Sequence, residues 1–182
     1  MAQSKNLNML LIDGTTENFI NVKFEWHQYK ATGINPKTNR QNTVRLIAKN
    51  ELSAASILSE KGLLPPYTFT EEQFANPTDA QIDYALDLGI MISSDMNRYD
   101  VSNCISKILN YDVDADETLK IFAYYRNIYF SPYAGQQQLM EKIWENILPH
   151  EKIIFFFLAV YNFLYKKDEW DFDFPLAQEF LK

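Results

Sequence analysis

A chain of 182 residues in which 47% of side chains are hydrophobic can bury a core of its own, which excludes a disordered polypeptide. The single cysteine, Cys104, excludes an internal disulfide framework and reads as a structural thiol on the apolar side of a helix. Charge is divided unevenly: residues 1–50 hold seven Lys or Arg against three acids, and residues 51–182 hold ten against twenty-one.

Along the chain, the polar opening of residues 1–8 lacks the charged-then-apolar order of a signal peptide, so a cytoplasmic location is expected. Residues 19–30 alternate Val22, Phe24 and Trp26 with Lys23, Glu25 and His27, the period of a half-buried strand. Residues 42–49 do the same with Val44, Leu46 and Ala48 inward. The turn-rich segment 33–40 between them predicts an antiparallel hairpin with a mobile tip. Two strands are marginal alone, and residues 9–13 are the expected third. Asn50 is placed to cap a helix ending at Gly62, and Pro65-Pro66 forbids its continuation. Residues 63–75 then read as an extended connector anchored by Tyr67 and Phe69.

From residue 76 onward the spacing turns helical. After Asn76-Pro77-Thr78, the residues Ile82, Ala85, Leu86 and Leu88 keep one apolar face, and Gly89 stops the helix. Asp100 is expected to cap a second helix carrying Val101, Cys104, Ile105, Ile108 and Leu109, the two helices forming a hairpin through a tight turn. Further helices are predicted over residues 118–129, 135–148, 150–166 and 176–181. The apolar run 153–164 is too short for a membrane span of about twenty residues and reads as a buried helix. Among its residues Phe156 and Leu158 are expected in the core with Ile82, Leu86, Ile105 and Ile108. The fold class expected is α+β: an N-terminal antiparallel hairpin or small sheet, then a mainly helical body. The expected division is a basic head with one helix over 1–62 and an acidic helical body over 63–182.

No catalytic constellation is legible. Asp112-Val113-Asp114-Ala115-Asp116 begins like a calcium loop, but Glu117 replaces its glycine and Ala123 its final glutamate. His27 and His150 have no ligands at metal spacing. The glycines are isolated, so no phosphate-binding loop exists. Neither metal nor cofactor is expected, and the chain does not read as an enzyme.

Two surfaces are candidates for binding. Asp79, Asp83 and Asp87 stand at four-residue spacing and form a carboxylate stripe, which a cationic protein surface would attract. The segment Asp168, Glu169, Trp170, Asp171, Phe172 and Asp173 sets aromatics among acids, a composition that suits an interface. As an alternative, Lys37, Arg40, Arg45 and Lys49 of the basic head could hold DNA or RNA phosphates.

The pattern Pro77-Thr78-x-x-Gln81-x-x-Tyr84-Ala85-x-x-Leu88-Gly89-Ile90, followed by Asp100-x-Ser102-x-x-Ile105, resembles a small helical module of bacterial and phage proteins that handle nucleic acid. With its acidic body and aromatic-rich surface, the whole chain also resembles phage-encoded anti-CRISPR proteins that inhibit Cas9. That resemblance implies stoichiometric binding to a guide-loaded Cas9, blocking target binding or cleavage partly by mimicry of DNA. The alternative is a phage or mobile-element DNA-binding accessory protein that uses the basic hairpin. No membrane association is expected.

Overall fold

The computed structural model describes the backbone of residues 7–11 and 18–180 and the side chains of residues 23–179. The chain is α+β. Its strands are β1 (Leu7–Leu11), β2 (Asn18–Val22), β3 (His27–Asn35), β4 (Arg40–Ala48) and, after helix α1 (Glu51–Glu60), β5 (Leu64–Glu72). Six helices follow: α2 (Asp79–Asp87), α3 (Arg98–Leu109), α4 (Glu117–Tyr125), α5 (Gln136–Asn146), α6 (Pro149–Tyr165) and α7 (Pro175–Phe180). Two compact units result, Phe24–Asn76 and, together with Met1–Lys23, Pro77–Lys182.

In the first unit β3 is the central strand of an antiparallel sheet ordered β4-β3-β5. The register pairs Tyr29 with Leu46 and Ala31 with Val44, so the period-two pattern places one apolar face inward. Helix α1 covers that face with Ala54 and Leu58, both fully buried beside Leu46, Ala48 and Leu63. Asn50 caps α1 by accepting from the Ser53 N–H at 2.9 Å, and Gly62 adopts a φ of 77° just past its end. Burying a side chain such as Leu58 is worth roughly 1.5–3 kcal/mol.

Three strand expectations are corrected. The strand expected over residues 19–30 is interrupted, since β2 ends at Val22 and β3 begins at His27. The segment expected as a third strand lies partly outside the described residues, and its described part, β1, pairs with β2 in a separate two-stranded sheet. The sheet's third strand is β5, expected as a connector. It pairs with β3 through Phe69 opposite Ala31, and its prolines sit at the start of an edge strand, where a missing N–H is tolerated.

In the second unit, Thr78 caps α2 and Gln81 returns the favour to the Thr78 N–H. At the other end the Gly89 N–H reaches Leu86 O and the Ile90 N–H reaches Ala85 O, a Schellman arrangement that needs the positive φ of Gly89, 76°. Ala85, Met96, Val101 and Cys104 form a small core between α2 and α3, and burial pushes the Cys104 thiol up. The two helices are not joined by a tight turn. Residues 88–97 connect them, because the cap of α3 is Asn97 and Asp100 occupies the third helical position. Asp100 is buried, accepting from Asn97 N–H at 3.1 Å and from the Ser131 hydroxyl at 2.6 Å. Of the expected core, Leu158 is fully buried, whereas Leu86, Ile108 and Phe156 are exposed. Ile82 and Ile105 are half-buried.

The Asp112–Asp116 segment is spent on structure. Asp112 accepts from the Gln137 and Gln138 N–H groups at 3.0 and 3.1 Å, capping α5 from a distance in sequence. Gly135 permits this approach, for a Cβ there would stand 2.1 Å from Asp112 Oδ2. Asp114 pairs with Lys107, and Asp116 accepts from Gln136 Nε2 at 2.8 Å.

Helix α6 opens with Pro149 at its first turn, where proline suits a helix. The expectation for residues 153–164 is a buried helix. Only one stripe is buried, that of Ile154, Phe155 and Leu158, while Ile153, Phe156, Val160, Phe163 and Leu164 face out. After α6 the chain reverses at Lys166, whose φ is 55°. The Asn162 side chain then clamps Glu169, donating to its carbonyl at 2.7 Å and accepting its N–H at 2.9 Å.

Candidate functional site

The acidic stripe stays on the surface. Asp79, Asp83 and Asp87 are all exposed on α2, and among the described residues none of the three enters an ion pair. Four residues of helix rise about 6 Å, so the stripe carries roughly half the linear charge of one B-DNA strand, which has a phosphate every ~3.4 Å. The unit that bears it holds seventeen acids against nine Lys or Arg over residues 77–182, so the local field is negative well beyond these three groups.

The C-terminal segment is built differently from its expected role. The segment leaves α6 irregularly and ends in a turn, the Phe174 N–H donating to Asp171 O at 3.1 Å. Trp170, 5% exposed, lies 5.2 Å from the Phe155 ring. Phe172 packs 4.9 Å from Phe122, with the Arg126 guanidinium 4.8 Å above it, and Phe174 lies 5.3 Å from Tyr161. These aromatics face inward, so Trp170 and Phe172 do not form an exposed binding surface. The acids take the other side: Asp168, Asp171 and Asp173 are exposed and Glu169 is half-buried. Two of the carboxylates hold the turn, Glu169 accepting from Asp171 N–H at 3.0 Å and Asp171 from Asp173 N–H at 2.9 Å. Burial, helped by the nearby Asp168 carboxylate, pushes Asp116 above the usual carboxylate range.

The cations of the first unit do not form one patch. Lys37 and Arg40 sit at the β3–β4 tip, both exposed. Arg45 lies on the sheet face opposite α1, where Nε donates to Glu72 Oε2 at 2.9 Å. The Arg45 hydrogen bond and charge hold the Glu72 carboxyl below its ordinary range. Lys49 is half-buried and its ammonium is pulled down by desolvation. The same open face presents Lys30, Thr43, Thr68 and Thr70, with Thr32 and Thr68 sharing a 2.5 Å hydroxyl hydrogen bond.

Of the histidines, His27 pairs with Glu71 at 2.8 Å, and His150 is exposed near the start of α6. Among the described residues no group of three His, Cys, Asp or Glu is placed to hold a metal ion. Nor is any described helix long and apolar enough to cross a membrane.

Sequence reading missed the feature with the most exposed apolar surface, the outer side of α6. The signal was present, because Ile153, Phe156, Val160 and Phe163 recur at three- and four-residue steps, but Ile154, Phe155 and Leu158 offer a rival stripe on the same helix. Comparison with protein-family models, with curated proteins and with solved structures gives no match for this chain.

Proposed function

We propose that this protein is a stoichiometric binding inhibitor, whose acidic α2 face competes with nucleic acid for a cationic channel of a guide-loaded Cas9-type effector. The observation that carries this reading is the row of three exposed and unpaired carboxylates on α2, set in a unit of strongly negative charge. Unpaired matters here: a carboxylate already neutralised by its own chain has little to offer a partner's arginines. Because the row has only about half the charge density of one DNA strand, the stripe supplies steering and register, and other contacts must add affinity.

The test compares two sets of substitutions. Asp79→Asn, Asp83→Asn and Asp87→Asn together are expected to weaken binding to a Cas9–guide complex and to flatten its salt dependence, with thermal stability nearly unchanged. Lys37→Ala with Arg40→Ala is expected to matter little. A second reading has its own observation: the open sheet face and the exposed Lys37 and Arg40 at its tip suit phosphate contact. Under that reading the basic pair governs binding to a duplex and each lost contact lowers the salt slope by about one. Tight duplex binding abolished by the basic substitutions, with no effector association in the parent protein, overturns the inhibitor.

A further inference from the structure

Helix α6 exposes more apolar surface than a solvated helix accounts for. Phe156 is 61% and Phe163 73% exposed, and with Trp144, Ile153, Val160 and Leu164 they make a continuous stripe. At roughly 150–250 Å² per large side chain, these six expose on the order of 600 Å². That is the upper end of the largest apolar patch a typical monomer shows, about 300–600 Å², and such patches are often functional; a standard interface buries about 800 Å² per partner, so the stripe would form most of one. Beside the stripe, α5 and α6 form an open hollow of about 310 Å³ lined by Met140, Trp144, Phe155, Phe156 and Ala159 together with Glu141 and Glu145.

The stripe is also self-complementary. The hollow lies beside Phe156, and the most exposed ring, Phe163, stands seven residues on, two turns along the same face. A two-fold axis beside Val160 would set two copies of α6 antiparallel, so that Phe156 of each copy meets Phe163 of the other, and each Phe163 reaches the opposite hollow. The charges agree with that arrangement. Glu141 and Glu145 flank the first half of the helix, while Lys166 and Lys167 follow its end, and among the described residues none of the four forms an ion pair within the chain. Antiparallel copies bring the lysines of one to the glutamates of the other. We infer that the outer face of α6 is an isologous dimer interface, its occupant a second copy of this chain.

Light scattering and sedimentation of the full chain across the micromolar range test it, with the expected result a concentration-dependent shift to twice the chain mass. Phe163→Asp is expected to weaken association at least tenfold without moving the circular dichroism spectrum, since that side chain is mostly exposed. Glu141→Lys with Glu145→Lys, and separately Lys166→Glu with Lys167→Glu, are expected to weaken self-association in the same way. Mixing these two charge variants should restore a dimer, because each then meets the opposite sign in its partner. The charge variants alter solvated positions and keep the test valid should the aspartate variant misfold. A monomer at every concentration, a dimer indifferent to Phe163→Asp, or a charge-swapped mixture that stays monomeric overturns the proposal.

Discussion

The sheet unit and the helical unit use their apolar residues in opposite ways. In the sheet unit, Val44, Leu46 and Ala48 alternate inward and one helix covers them, so the face named by the period is the face that is buried. In the helical unit, Leu86, Ile108, Leu109 and Phe156 obey helical spacing and are nevertheless exposed. The difference lies in supply and demand. A strand has two faces, and its period separates them without ambiguity. A helix rich in apolar residues on several sides presents more stripes than its neighbours can cover, and packing selects among them.

The sharpest way to break this comparison is truncation of paired positions. Leu58→Ala in the sheet unit and Phe155→Ala in the helical unit, both nearly inaccessible, are expected to cost about 2–5 kcal/mol each. Leu52→Ala and Phe156→Ala, both largely exposed, should cost well under ~1 kcal/mol in the monomer. Denaturant midpoints decide it, and a large loss at Phe156 in the monomer would remove the distinction drawn for α6.

A smaller effect tests whether the helical unit depends on distant caps. Asp112→Ala should lose about 0.5–2 kcal/mol as α5 forfeits its cap. Gly135→Ala, by forcing Asp112 aside, should cost a similar amount, and the double variant should cost much less than both together. Full additivity in chemical denaturation would refute the coupling.

Gly89 gives a loss of similar size. Nothing lies within 4 Å of a Cβ at that position, so Gly89→Ala is resisted by backbone conformation alone, about 1–2 kcal/mol. An unchanged melting midpoint would mean that the α2 terminus relaxes freely.

The smallest effect belongs to the sheet's outer face. Because Arg45 depresses the Glu72 pKa, that pair stabilises the fold above the unfolded carboxylate value, and the contribution is lost as pH falls through the depressed one. Arg45→Ala should return the Glu72 titration, followed by NMR, toward its ordinary range. An unmoved titration would mean that the ion pair does not persist in solution.

What the sequence determined alone was local: the α+β class, the α1 start at Asn50, the α2 start at Thr78 and its stop at Gly89, each set by residues within one turn of the feature. The exposed stripe Asp79, Asp83 and Asp87 was equally legible, since helical spacing puts all three on one polar face. The tertiary structure alone decided the rest. Recruitment of β5 as third strand depends on pairing with a strand thirty or more residues earlier. The inward turn of Trp170 and Phe172 depends on Phe155 and Phe122 being there to receive them. Which stripe of α6 is buried depends on which neighbours fold against it, because burial belongs to pairs of surfaces, whereas a sequence pattern describes only one of the two.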